Sequence, residues 1–152
     1  MRKRNSKIPF VLVGIFILIG LIFTTLFLRG NAETPMMLVE RFYSFEQQGD
    51  FGSSWDLFHE EMKGKFSKNA YVTERSHIYM SHFGVTTYSF EIVAEENVKE
   101  WSMSKGGPTF TDVTKVTVEL LFHSKFGVFM ITQDVFVVEE GGKLKLLWEF
   151  KE

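Results

Sequence analysis

The pattern of apolar and polar positions changes period twice along the chain. Residues 8–28, IPFVLVGIFILIGLIFTTLFL, have no polar face: the run is uncharged, and only Pro9, Gly14, Gly20, Thr24 and Thr25 interrupt it. At ~1.5 Å rise per residue, a helix of this length reaches ~32 Å, about the hydrocarbon thickness of a bilayer. The next stretch has helical spacing. Thr34-Pro35 reads as an N-cap followed by proline at the first helical position, and it predicts a helix to Gln48. Leu38, Phe42 and Phe45 form its stripe, with Val39 beside them, and Gly49 is its stop. A second helix is predicted over 50–62, where Phe51, Trp55, Phe58 and Met62 recur at helical spacing. Ser67 caps a third, predicted to run to about Phe83 with Gly84 at its end.

From there the period is two. Residues 86–94 place Tyr88, Phe90, Ile92 and Ala94 on one face, and Thr87, Ser89 and Glu91 on the other. Glu95-Glu96-Asn97 reads as a turn into a weaker strand over 98–104, and Lys105-Gly106-Gly107-Pro108 as a loop. Residues 113–123 alternate clearly: Val116, Val118, Leu120 and Phe122 against Lys115, Thr117, Glu119 and Leu121. The next strand, 126–139, is apolar on both faces for part of its length, as a central strand is. Its face carrying Phe129, Ile131, Val135 and Val137 suggests a sheet surface for a homodimer or an envelope partner. Glu140-Gly141-Gly142-Lys143 is a hairpin signal, and the last strand, 144–150, shows Leu144, Leu146, Trp148 and Phe150 on one side. Helices first and an antiparallel meander after them predict an α+β domain, with three helices packed on one side of a curved sheet.

Charge adds direction. Arg2, Lys3, Arg4 and Lys7 precede the apolar run and only Arg29 follows it closely. That imbalance predicts a cytoplasmic N-terminus and an exported remainder. The organisation read from this is a basic cytoplasmic tail (1–7), a transmembrane helix (8–28), a short linker (29–34) and an exported domain (35–152). A cleaved signal peptide is the rival reading, because Gly30-Asn31-Ala32 is a small-x-small site, although the run exceeds the roughly 7–15 apolar residues of a signal h-region. Residues 33–152 carry 12 basic and 19 acidic side chains, a net charge of −7 that the basic N-terminus hides in a whole-chain value of −2. Such a domain is a poor binder of nucleic acid or anionic lipid. The chain has no cysteine, which excludes disulfides and thiol lipidation.

The aromatic-rich run FYSFEQQGDFGSSWDLFHEEMKGKFSKNAYVTERSHIYMSHFGV carries a more specific signal. It resembles the start of the NTF2-like N-terminal domain of certain membrane-anchored penicillin-binding proteins. The matching positions are Phe42, Gly49, Asp50, Phe51, Trp55, Ser67, Lys68, Tyr71, Ile78, Tyr79 and Gly84. The closing GGKLKLLWEF is similar to that domain's terminal hairpin. The resemblance covers most of 34–150 and rests on packing and turn positions. It implies an NTF2-like cone acting as a non-catalytic spacer, docking or interaction module of a Gram-positive cell envelope. In those proteins a transpeptidase follows; here the sequence stops after the last strand, and no catalysis is inherited.

Motifs with catalytic overtones are weak. Ser102-Met103-Ser104-Lys105 has the S-x-x-K spacing of penicillin-binding proteins, but no S-D-N or K-T-G companion stands near it and it runs into a Gly-Gly-Pro loop. His59-Glu60-Glu61-Met62-Lys63 begins like H-E-x-x-H but has Lys63 at the second ligand position, so no zinc site is expected. His77 and His82 lie about 140° apart on a helix and share no face. No metal and no cofactor is expected. Because some NTF2-like cones hold a general base in an open cavity, the alternative function is a small-molecule-binding or isomerase/dehydratase-like cone. Its candidate residues are Tyr79, His82, Trp101, Asp112 and His123. An interior filled by Phe and Trp speaks for the interaction module; an open cavity with a paired His or Asp speaks for the catalytic cone.

Overall fold

The computed structural model describes residues 14–24, 33–78, 85 and 87–150. The chain divides into two units, Met1–Glu33 and Thr34–Glu152. In the first, residues 14–24 are helical and their apolar side chains, Phe16 and Phe23 among them, are exposed. The remainder of the predicted 8–28 span, the basic flank and most of the linker lie outside the described residues. Among the described residues, no helix is long and apolar enough to cross a membrane.

The second unit is α+β, with helices α1 (Pro35–Gln47), α2 (Phe51–Asp56), α3 (Glu60–Lys63) and α4 (Lys68–His77). Strands β1 (Ser89–Ser102), β2 (Thr109–Ser124), β3 (Gly127–Glu140) and β4 (Lys143–Leu147) follow. The four strands form one antiparallel sheet in sequential order β1-β2-β3-β4. α1 begins as predicted: the Thr34 hydroxyl accepts from the Met37 amide, with Pro35 in the first turn, where its missing N–H costs nothing. It ends at Gly49, whose φ of 76° is the left-handed stop that glycine allows without strain. The buried face is Leu38, Val39, Phe42, Tyr43 and Glu46, rather than the predicted stripe through Phe45. Each of the large apolar side chains stabilises the unit by ~1.5–3 kcal/mol on burial.

The predicted helix over 50–62 is two helices. Residues 57–59 leave the helix because their backbone joins the sheet: the Leu146 amide donates to the Leu57 carbonyl at 3.0 Å, and the His59 amide donates to the Leu146 carbonyl at 3.0 Å. Phe58 is thereby bridged to Leu146 in parallel, along the outer edge of β4. α4 starts where expected, with the Ser67 hydroxyl accepting from the Ala70 amide. It ends at His77, and the predicted extension over 79–83 lies outside the described residues.

β1 corrects a second expectation. Glu95-Glu96-Asn97 is not a turn; the strand runs through it, pairing these residues with Val116, Lys115 and Thr114. Cross-strand partners satisfy the polar side chains that suggested a break: Lys115 pairs with Glu96, and the Thr114 hydroxyl donates to Asn97 Oδ1. A bulge between Ile92 and Ala94 shifts the alternation there. β2 begins at Thr109 rather than 113. β4 ends at Leu147, before Trp148 and Phe150, which pack as partly buried residues beyond it. The Gly141-Gly142 turn has φ of 59° and 77°, the conformation a two-residue hairpin of this twist requires.

Candidate functional site

Three places gather chemistry: the interior between helices and sheet, a cleft at one end of the sheet, and the hairpin at its other end. Aromatic rings pack together in this interior. Phe58 sits at the centre, its ring centroid 5.3 Å from Phe42, 5.3 Å from Tyr71, 5.8 Å from Phe66 and 4.7 Å from Trp148. Most of these contacts are edge-on, the arrangement that aromatic quadrupoles favour.

One polar cluster is built into this core. The Glu46 carboxylate is fully buried on α1. Its Oε1 accepts from the Ser54 hydroxyl at 2.5 Å and the Tyr71 hydroxyl at 2.7 Å. Its Oε2 accepts from Arg75 Nε at 2.9 Å and from Arg75 Nη2 at 2.6 Å. The four bonds tie α1, α2 and α4 together and occupy both carboxylate oxygens. The Arg75 guanidinium also lies over the rings of Tyr71 and Trp148, each 5.7 Å away. A carboxylate in this setting is a structural clamp, since a buried charge persists only when paired and hydrogen-bonded.

Tyr71 records the same environment. Burial holds its phenol well above the ordinary value, with the Arg75 charge pulling it back and the Glu46 carboxylate raising it again. The charged form is the one disfavoured by folding. Its contribution to stability is therefore complete below the ordinary tyrosine pKa near ~10 and is lost as the pH climbs from there toward the folded value. An alkaline titration should show the Tyr71 phenolate band appearing together with loss of the near-ultraviolet circular dichroism, later than for an exposed tyrosine; in Tyr71→Phe that late component should be absent.

The five candidate residues do not come together. Tyr79 and His82 lie outside the described residues. Trp101, on β1, stacks on Phe136 with ring centroids 3.9 Å apart and planes inclined by 15°, which is a packing role. His123, on β2, is exposed and pairs across the ladder with Val128. Asp112 is the informative one, because it has φ 54° in the left-handed region, uncommon for a residue with a side chain. It lines a cleft of ≈ 480 Å³ with Thr109 and Thr111 on one wall, Val138, Glu139 and Leu144 on the other, and Pro35 at one end.

The two motifs considered for catalysis are absorbed structurally. Ser102 closes β1 with its hydroxyl 3.3 Å from that of Thr109, and Ser104 is in the following turn, its carbonyl accepting from the Gly107 amide. His59 caps α3: Nδ1 accepts from the Glu61 amide, so Nε2 carries the proton toward Glu140 Oε1 at 3.1 Å. Among the described residues, no group of three His, Cys, Asp or Glu side chains is placed to hold a metal ion.

The β2–β3 hairpin end differs from all of this. Phe126 is 84% exposed, Val128 61% and Met130 54%, and Ile131 is also exposed. Phe129 turns inward and stacks on Phe122 at 5.0 Å, and Ile131 pairs with buried Leu120; with Val135 and Val137 also buried, the face expected to meet a partner is the one turned to the core. From Leu120 to Gln133 the sequence has no acidic residue, and Lys125 stands next to Phe126. The strand partners are Leu121 for Met130 and His123 for Val128, so the solvent side of this end is apolar with a basic rim. No family model matches the chain, and no curated protein matches it.

Proposed function

We propose that the chain is a single-pass membrane protein whose exported unit adopts an NTF2-like cone and serves as a non-catalytic interaction module in the cell envelope. The observation that carries this reading is the exposed apolar end of the β2–β3 hairpin. Contiguous exposed apolar side chains on an otherwise well-packed small domain mark a surface that is covered in use. The ring packing around Phe58, and a buried carboxylate whose lone pairs are all taken, support docking over turnover. The apolar run 8–28 with its basic flank supports the anchor and the outward orientation. The order of helices and strands supports the NTF2-like reading.

Pro35, where the chain enters the unit, lies against the cleft near Asp112 and Thr114. From Asp112 to Ser124, β2 spans ~40 Å of extended chain. α1 runs the same way, ending where Gln47 Nε2 donates to the Tyr88 carbonyl and Tyr88 packs on Phe122. The apolar end therefore lies at the opposite end of the unit from Pro35.

A photo-crosslinking residue placed at position 126 in the full-length chain tests this in intact cells, with position 74, exposed on α4, as the control. The expected result is a discrete adduct from 126 alone, a self-dimer or an envelope protein, that disappears in Val128→Ser/Met130→Ser. Because both side chains are exposed, that variant should keep its stability within ~0.5 kcal/mol in urea unfolding. An adduct that persists in the variant, or equal adducts from both positions, overturns the reading.

A further inference from the structure

The sheet is split at the end opposite the exposed hairpin. β2 goes on pairing with β1 as far as Ser102↔Thr109, but its ladder with β3 stops at Thr114↔Val137. β3 in turn goes on pairing with β4 as far as Glu140↔Lys143. Two hairpin arms therefore diverge beyond Thr114 and Val137, with Asp112 in its left-handed conformation next to the point of divergence. On the side of 109–113 turned from β1, and on the side of 138–140 turned from β4, the strands have no ladder partner among the described residues. Apart from Asp112, these stretches lie in strands and offer N–H and C=O groups to another strand.

The cleft between the arms combines that backbone with a particular charge. Asp112 and Glu139 both line it, one from each arm, and neither carboxylate has a hydrogen bond or ion pair among the described residues. Val138, Leu144 and Pro35 supply apolar surface beside them. The volume, ≈ 480 Å³, is within the ordinary range for ligand sites. Anions are repelled here, and two carboxylates without a third ligand make no metal site. An occupant with extended backbone, an apolar side chain and a cationic one matches each feature, and the −7 charge of 33–152 steers cations toward it.

We propose that this cleft takes an extended polypeptide segment bearing lysine or arginine, its main chain adding to the unpaired stretch of β2 or β3 and its cationic side chain lying between Asp112 and Glu139. Recognition is then by strand addition, with backbone pairing giving affinity and the two carboxylates giving selectivity. The site is distinct from the apolar hairpin end and stands or falls separately from it.

The test uses the full-length chain in lipid nanodiscs and a fluorescein-labelled Thr-Lys-Val-Arg-Thr peptide, read by anisotropy. Two comparison peptides carry Glu for both basic residues, or N-methyl groups on alternate amides. The protein variant is Asp112→Asn/Glu139→Gln, in which asparagine keeps a residue that tolerates positive φ. Saturable binding of the basic peptide is expected. The Glu peptide should fail to bind, and affinity should fall roughly tenfold for the N-methylated peptide and for the double variant. An unchanged urea midpoint shows that the variant is folded. No binding of the basic peptide, equal binding by the double variant, or equal binding of the N-methylated peptide each overturns the proposal.

Discussion

Phe58→Ala should lower the unfolding free energy by ~3–5 kcal/mol, a large share of the ~5–15 kcal/mol that holds a typical domain together. The side chain is completely buried and touches four other rings of the core. Its removal leaves a cavity that those rings cannot collapse into, because each is held by further contacts of its own. Trp148 is fixed against Phe42 and Phe66, and Tyr71 by its bond to Glu46. The backbone of Phe58 also closes the outer edge of β4, so loosening this residue weakens the sheet as well as the core. Urea unfolding followed by tryptophan fluorescence gives the number. Phe126→Ala is the matched control, since a ring that is 84% exposed should change stability by no more than ~0.5 kcal/mol. A loss below ~1 kcal/mol for Phe58→Ala would mean that the core rearranges around the gap.

Arg75→Leu should be comparably damaging, at ~3–5 kcal/mol, although Arg75 is itself partly exposed. The penalty falls on Glu46, which keeps its place in the core but loses the charge facing it. Leucine retains part of the arginine stem that packs near Tyr71 and Trp148, so the measured loss reports the charge more than the volume. Glu46→Gln in the Arg75→Leu background should recover a part of it, because a neutral amide still accepts from Ser54 and Tyr71 without being an uncompensated ion. The surface pairs provide the scale. Lys68 with Asp56 is about half exposed on both sides, and breaking it should cost at most ~1 kcal/mol. If the double variant is no more stable than Arg75→Leu alone, the isolated charge is not what the single substitution exposes.

Much of the architecture is legible from residue type and spacing. Thr34-Pro35, Ser67, Gly49 and the Gly141-Gly142 pair each state a local conformation that depends on one or two side chains, and the structure has all four. The alternation of β2 was equally plain, because every second residue from Val116 to Phe122 is buried. Local signals fail where long-range partners overrule them. Nothing near Leu57–His59 announces Leu146, and nothing near Glu95-Glu96-Asn97 announces the lysine and threonine that satisfy them. The burial of Glu46 was missed for the same reason, since its hydroxyl and guanidinium donors lie up to 29 residues away. Only its position one turn after Phe42 on the inward stripe hinted at it. Among the described candidate residues Asp112 alone lines the cleft, and its left-handed backbone is invisible to a two-residue period.

The strand edges decide how copies of this domain can meet. Along β4, the chain segment of Phe58 already takes the hydrogen bonds that a neighbouring sheet would need. β1, at the other side of the sheet, carries Glu91, Glu95, Glu96 and Glu100 and is bent by a bulge, so two such strands placed side by side repel one another and fit poorly. Continuous sheets running from one molecule into the next, the usual route to fibres and precipitates, are therefore hindered along these two outer edges. Crowding many copies then carries little risk of irreversible clumping through these two edges, and any assembly formed through the exposed side chains stays dissociable.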